Sequence, residues 1–172
     1  DLVRTFTRLD GRIIDVGGGA SVLVDGLLKL GFEHVTVLDV AESALQKAKS
    51  RLGPDAAKVR WVAADVTTVE DLGTFELWHD RAVFHFLTTA EDRRRYVELA
   101  ERSIPPGGRL VMATFAENGP TRCSDLKVCR YDAGTLSAEL GPGFLLVNEA
   151  QERHSTPSGS SQEFFYGVFE RR

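Results

Sequence analysis

Cysteine is scarce in this chain: Cys123 and Cys129 are the two among 172 residues. They form no C-x-x-C pair and stand in no cluster with zinc-ligand spacing, which excludes a disulfide scaffold and a structural metal module. No metal is expected, and the plain reading is a reduced, cytoplasmic compartment. No apolar run approaches the ~20 residues of a membrane span. The opening DLVRTFTRLDG carries no apolar signal core, so neither export nor a membrane partner is expected. Basic charge is not in excess either: 21 Lys and Arg against 25 Asp and Glu leave a net charge of −4. A nucleic-acid partner needs a basic surface, and none is expected. Arg93–Arg95 lie among Glu91, Asp92 and Glu98 and read as a solvated helix face. What remains is an ordinary globular composition, 42% hydrophobic and 27% charged, at the length of one domain.

One stretch organises the rest. Residues 12–21 read RIIDVGGGAS, with Ile13, Ile14 and Val16 around Asp15, then three consecutive glycines. An apolar-rich run from Val22 to Leu30 follows. That order spells a buried strand, a tight turn and a helix start. A strand feeding a glycine turn into a helix opens a ligand crevice at the strand's carboxyl end, and glycine lets another molecule approach the backbone closely. The stretch is read as a nucleotide-type cofactor site.

Taken in order, residues 1–11 give no element. A strand over 12–16 leads to a helix over 21–30, stopped by Gly31. HVTVL (34–38) is a second strand, closed by Asp39. The next helix places Ala41, Ala44, Leu45, Ala48 and Leu52 on one face and ends at Gly53-Pro54. A third strand over 59–63 is closed by Asp65, with a short helical stretch over 69–72. A fourth strand over 75–78 precedes His79, Asp80 and Arg81 and an apolar segment over 82–87. A longer helix starts near Thr89, with Asp92 three residues on as a capping box, and breaks at Pro105-Pro106. The fifth strand covers 109–115. Residues 116–130 form a loop too long to be a mere connector, and a short helix covers 133–140. Two last strands, 144–153 and 163–170, are joined by a Ser/Pro/Gly turn over 155–161. The second is apolar on both faces and belongs inside the sheet. The alternation of strand and helix implies an α/β fold, a Rossmann-like three-layer sandwich around a mostly parallel sheet with a C-terminal antiparallel hairpin.

Two cofactor classes compete at the glycine turn. The dinucleotide fingerprint G-x-G-x-x-G accepts Gly17 and Gly19 but meets Val22 in its third place, where a branched side chain obstructs close packing. Glycines in such a turn also serve packing alone. Asp39 follows at the carboxyl end of the second strand, where a carboxylate takes both hydroxyls of an unphosphorylated ribose; the position equally suits capping of the second helix. Asp65 suits the exocyclic amine of an adenine, or simply opens a loop. Asp15 sits in an apolar strand end and needs donors, and the amides of the glycine turn are the nearest supply.

With these residues in hand, the chain resembles the class I S-adenosylmethionine-dependent methyltransferases. The matching stretches are IIDVGGGAS, VTVLDV, VRWVAADV, FELWHDRAVFHFL and PPGGRLVMATF, one at each of the first five strands. The resemblance runs from Arg12 to Phe169. It implies a seven-stranded sheet of order 3-2-1-4-5-7-6, with the last-formed strand antiparallel between the fifth and sixth, and S-adenosyl-L-methionine as cofactor. By that resemblance Gly17, Gly18 and Gly19 cover the methionine part. Asp39, with Val40 next to it, takes the ribose hydroxyls, and Asp65 and Val66 flank the adenine. His79, Asp80 and Arg81 lie beside the sulfonium and amino-acid end. Ser21 stands where the family usually carries a third glycine. The family also usually carries a helical segment ahead of the first strand, so one domain over 1–172 that lacks this N-terminal lid is expected.

The implied activity is methyl transfer by in-line displacement to a small-molecule acceptor, with a protein lysine as the next choice. No nucleophilic side chain is needed, and a base only for a protonated acceptor. The candidate bases are His79 and His85, each of which also reads as a core histidine. Arg81 suits the cofactor carboxylate, an acidic substrate, or a pair with Asp80 or a neighbouring acid. The loop over 116–130 should border the substrate and holds Asn118, Arg122, Cys123, Ser124, Cys129 and Arg130. HDRA stands after the fourth strand in place of an asparagine-proline-proline-aromatic motif, which removes one reason to propose amine methylation of DNA or glutamine. The rival readings are a nicotinamide-dependent oxidoreductase and a catalytically silent binding module.

Overall fold

Runs of β-branched and apolar residues pair side by side because each buries both of its faces. The computed structural model describes residues 2–155 and 161–172. Most of the expected Ser/Pro/Gly turn, at 156–160, lies outside them. In chain order the elements are α1 (Leu2–Phe6), β1 (Arg12–Val16), α2 (Leu23–Lys29), β2 (His34–Asp39), α3 (Glu42–Leu52), β3 (Val59–Ala63), β4 (Leu77–Arg81), α4 (Ala90–Ser103), β5 (Arg109–Phe115), β6 (Arg122–Cys123), β7 (Leu126–Lys127), α5 (Ala133–Leu140), β8 (Phe144–Ser155) and β9 (Ser161–Arg171).

The main sheet has seven strands in the order β3-β2-β1-β4-β5-β9-β8. The first five are parallel, and β9 runs antiparallel between β5 and β8. β6 and β7 form a separate two-stranded ribbon. Numbered among its own members, the main sheet therefore runs 3-2-1-4-5-7-6. Alternate residues of each strand feed alternate faces. Ile14, Trp78, Leu110, Met112 and Phe169 pack with α4 and α5 through Tyr96, Leu99, Leu136 and Leu140. Ile13, Leu77, Val111 and Val168 pack with α2 and α3 through Val24, Leu27 and Leu45. These are the two outer layers of helices expected around the sheet.

The departures have local causes. The helix α2 begins at Leu23, not 21, because the Ser21 hydroxyl accepts the Leu23 amide at 3.0 Å and holds the preceding residues in a turn. No helix forms over 69–72; the segment is pinned instead by Arg60 donating to the Leu72 carbonyl at 2.6 Å and Gly73 donating to Asp71 at 2.8 Å. Four residues are too few to repay helix nucleation without help. β4 spans Leu77–Arg81 rather than 75–78, since His79, Asp80 and Arg81 continue the ladder opposite Val111, Met112 and Ala113. Their polar side chains look loop-like, but buried partners satisfy two of them. At α4, Thr89 accepts the Asp92 amide at 3.1 Å, while the Asp92 carboxylate accepts from the Thr89 hydroxyl at 2.6 Å rather than from its backbone. Within the long loop, β6 and β7 turn through Ser124 and Asp125, whose φ angles of 49° and 63° are those a two-residue hairpin requires.

Candidate active site

The glycine turn is a cradle that excludes side chains. Gly17 adopts a φ of +72°, a left-handed conformation that favours glycine, and its amide donates to the Leu38 carbonyl at 2.7 Å. A Cβ on Gly17 would lie 2.1 Å from Val83, one on Gly18 2.3 Å from Asp15 Oδ2, and one on Gly19 2.7 Å from Asp39 Oδ2. Asp39 braces this turn. Its Oδ2 accepts the Gly19 amide at 3.0 Å and its Oδ1 accepts the Ala41 amide at 2.8 Å. The N-cap position of α3 falls to Ala41, so Asp39 ties β2 to the turn instead of capping the helix.

Beneath the turn lies a buried acid–imidazole pair. Asp15 is 2% exposed, and its Oδ1 stands 2.7 Å from His79 Nδ1 on the neighbouring strand, where the two residues are in register. Burial pulls the His79 pKa down, but the hydrogen bond and charge of Asp15, aided by Asp80, outweigh it and leave the imidazole above its ordinary value. Among the described residues Asp15 Oδ2 has no hydrogen-bond partner, and it lies where a Cβ on Gly18 would fall. Both side chains sit behind the turn and line no part of the cavity in front of it.

Asp80 turns inward, contrary to the expected cofactor contact. It is fully buried. Its Oδ2 accepts the Tyr96 hydroxyl at 2.6 Å, and Tyr96 in turn accepts the Trp78 indole N–H at 2.9 Å. Its carboxylate also accepts the amides of Val83 at 2.8 Å and Phe84 at 3.1 Å. Burial pushes its pKa up to about 6, against the pull of these donors. Asp80 thereby anchors the turn through Ala82, a non-glycine residue at a φ of +70°, and sets Val83 against Gly17. His85 is likewise a core residue: it is fully buried, its Nδ1 accepts the Phe115 amide at 3.3 Å, and burial drops its pKa to about 4. Ser21 serves α2, as described, and does not reach the cavity.

That cavity measures about 650 Å³ and opens at the carboxyl ends of the parallel strands. Val16 and Gly17 come from the end of β1 and the turn after it, Leu38, Asp39 and Val40 from the end of β2 and just beyond it, and Ala64, Asp65 and Val66 from the segment after β3. Arg81 comes from the end of β4, Ala82, Val83, Phe86, Leu87 and Thr88 from the segment after it, and Leu126 and Lys127 from the ribbon. Of the residues singled out in the sequence, Gly17, Asp39, Val40, Asp65, Val66 and Arg81 are brought together here. Gly18 and Gly19 complete the turn next to Gly17 without lining the cavity. Asp65 Oδ1 is engaged by the amide and hydroxyl of Thr67, at 2.8 and 2.7 Å. Arg81 pairs with Tyr166, not Asp80: its Nε donates to the Tyr166 hydroxyl at 3.0 Å, and its guanidinium lies 5.0 Å from the Phe164 ring centre. The long loop does border the cavity, but through Leu126 and Lys127 and none of the six residues singled out within it.

The family model described as a methyltransferase domain matches residues 13–108, more than half of the chain. The chain belongs to the methyltransferase domain family. That match covers every residue from Asp15 to Arg81 that the sequence assigned to a cofactor. The chain is 32% identical over 159 residues to the methyltransferase tpcM of Aspergillus fumigatus, covering 90% of this chain and 46% of that protein. It is 26% identical over 176 residues to the malonyl-[acyl-carrier protein] O-methyltransferase of Anoxybacillus flavithermus, covering 97% and 65%. This methyltransferase domain thus spans less than two thirds of the length of either relative. Among solved structures, the N-methyltransferase NodS from Bradyrhizobium japonicum in complex with S-adenosylhomocysteine is 17% identical, with a TM-score of 0.73 over 94% of this chain and 78% of that one. That likeness is one of fold. The methyltransferase domain carries its cavity at the carboxyl ends of β1 to β4, where open α/β sheets bind ligands, and its volume falls within the ~300–1,000 Å³ of small-molecule sites. Among the described residues no helix is long and apolar enough to cross a membrane.

Proposed function

We propose that this methyltransferase domain transfers a methyl group from S-adenosylmethionine to a small-molecule acceptor. The observation that carries this reading is the joint placement of Gly17, Asp39, Asp65 and Arg81 around one cavity, in front of a glycine turn too tight for any side chain. The residues fit an adenosyl group bearing an amino-acid tail. Asp39 offers carboxylate acceptors for ribose hydroxyls, as such an acid does at this strand end. Asp65 and Val66 offer an acceptor and an apolar surface for adenine. The glycine turn leaves room for the methionine part, and Arg81 offers a cation to its carboxylate. Asp15 and His79 hold the floor of the turn as a positioning pair.

Bound there, the cofactor supplies a methyl group on an activated sulfonium leaving group. The domain's own contribution is orientation, which can supply ~7–11 kcal/mol of a barrier. His85 does not serve as the base: it is enclosed, and its Nδ1 already accepts a backbone amide. His79 keeps its Nδ1 on Asp15, so an acceptor that arrives deprotonated needs no side chain to take a proton. The whole protein's acceptor is proposed here as a small molecule, with a protein side chain second. A cytoplasmic setting is part of the same proposal.

Calorimetric titration with S-adenosylmethionine, S-adenosylhomocysteine and NAD tests the reading. Micromolar binding of both adenosyl compounds without NAD is the expected result; NAD binding alone would overturn it in favour of an oxidoreductase.

A further inference from the structure

The charges around the cavity are sorted along the sheet. Asp39 and Asp65 stand at the ends of β2 and β3, while Arg81 stands at the end of β4 and Lys127 on the ribbon that follows β5. Arg81 is already engaged by the Tyr166 hydroxyl, and its Nη2 lies 4.0 Å from Glu152 Oε1. Lys127 is exposed and has no ion-pair partner among the described residues. Its place is nonetheless fixed. The ribbon closes through the left-handed pair Ser124 and Asp125, Arg122 donates to the Asp125 carbonyl, and the Val128 amide donates to the Thr121 carbonyl at 3.2 Å. The ribbon therefore holds Leu126 and Lys127 at the cavity that Phe86 and Leu87 also line.

We propose that Lys127 binds an anionic group on the methyl acceptor, so that the domain acts on a small molecule carrying a carboxylate or phosphate near its accepting atom. This rests on the methyl-transfer reading. One cation, Arg81, serves the single carboxylate of the cofactor, and Lys127 is left over. A bound sulfonium would add a further positive charge, and both lining carboxylates, Asp39 and Asp65, lie at the ends of β2 and β3, away from Lys127. A cationic acceptor, such as a protonated lysine side chain, meets like charge there. An anion gains from Lys127, whose charge is not spent on the cofactor, in a partly enclosed space where screening is reduced. Phe86, Leu87 and Leu126 supply apolar surface for the acceptor's body.

The test uses the domain saturated with S-adenosylhomocysteine, as wild type and as Lys127→Gln. Each is titrated calorimetrically with benzoate, phenyl phosphate and the neutral benzamide. At least one anion should bind wild type about tenfold more tightly than benzamide, the ratio that 1.4 kcal/mol sets. Lys127→Gln should abolish that preference while leaving S-adenosylhomocysteine affinity unchanged. Which anion binds better separates a carboxylate from a phosphate acceptor. Equal binding of all three compounds, no binding of either anion, or a preference that survives in Lys127→Gln overturns the assignment while the cofactor reading stands. A domain that binds no S-adenosylhomocysteine overturns both.

Discussion

Three single residues carry separable consequences. Asp39 holds the glycine turn with both oxygens and also faces the cavity. Asp39→Ala should weaken S-adenosylhomocysteine binding by about 1–3 kcal/mol, the usual loss when polar groups are left unpaired, as read by calorimetry. Unchanged affinity would remove Asp39 from the cofactor site. Gly17→Ala should be more damaging, because the new Cβ would sit 2.1 Å from Val83 at a backbone conformation that disfavours it. Cofactor binding should fall below detection even in variants whose circular dichroism stays native. His85 sets a pH dependence. An unfolded imidazole takes its proton near pH 6.5, but burial makes the folded one refuse it until about 4. The unfolded state therefore binds more protons across that window, and stability should fall as pH drops through it, by about 3 kcal/mol from this residue. In urea titrations at pH 7 and pH 4, His85→Gln should lose less stability between the two than wild type does. An equal loss would show that His85 is not the titrating group.

At the scale of elements, β4 shows both the reach and the limit of sequence. Ile13, Ile14, Val35, Val37 and Val111 announce their strands through β-branched or aliphatic side chains, and the acids that close β2 and β3 fall where the alternation puts them. The second half of β4 is not legible that way. His79 and Asp80 are polar, and their burial is compensated by Asp15 and Tyr96, which arrive from other elements. The same fact hides the role of the Asp80 side chain: its position at a strand end is readable, but not the phenol on α4 that donates to it. Lys127 was missed for a related reason. A two-residue strand has no periodicity, and only the folded ribbon brings it to the rim. Tyr96→Phe tests the compensation, since it strips one donor from Asp80 and the acceptor from the Trp78 indole. It should destabilise the fold by about 1–3 kcal/mol in chemical denaturation; a neutral effect would mean that Asp80 is held by the backbone amides alone.

Over the whole molecule, the cavity draws its walls from four parallel strands and the ribbon, so a ligand there binds only the assembled sheet. Adenosyl compounds should accordingly stabilise the entire domain. At a hundredfold excess over its dissociation constant, S-adenosylhomocysteine contributes about 2.7 kcal/mol, which for a chain of this size raises Tm by roughly 5–11 °C. Differential scanning fluorimetry reads this directly, and NAD at the same concentration should leave Tm in place. A rise with NAD instead would return the dinucleotide reading.

The position of β9 has a consequence for synthesis. It lies between β5 and β8 and pairs along its length with both, yet it follows both of them in the chain. Until it leaves the ribosome, β5 presents a bare hydrogen-bonding edge flanked by Leu110, Met112 and Phe115, and β8 has no neighbour to join. A nascent chain in that state offers the kind of open edge that recruits other strands. Completion of the sheet thus waits on the insertion of β9, and until then the edge of β5 stays open to such recruitment.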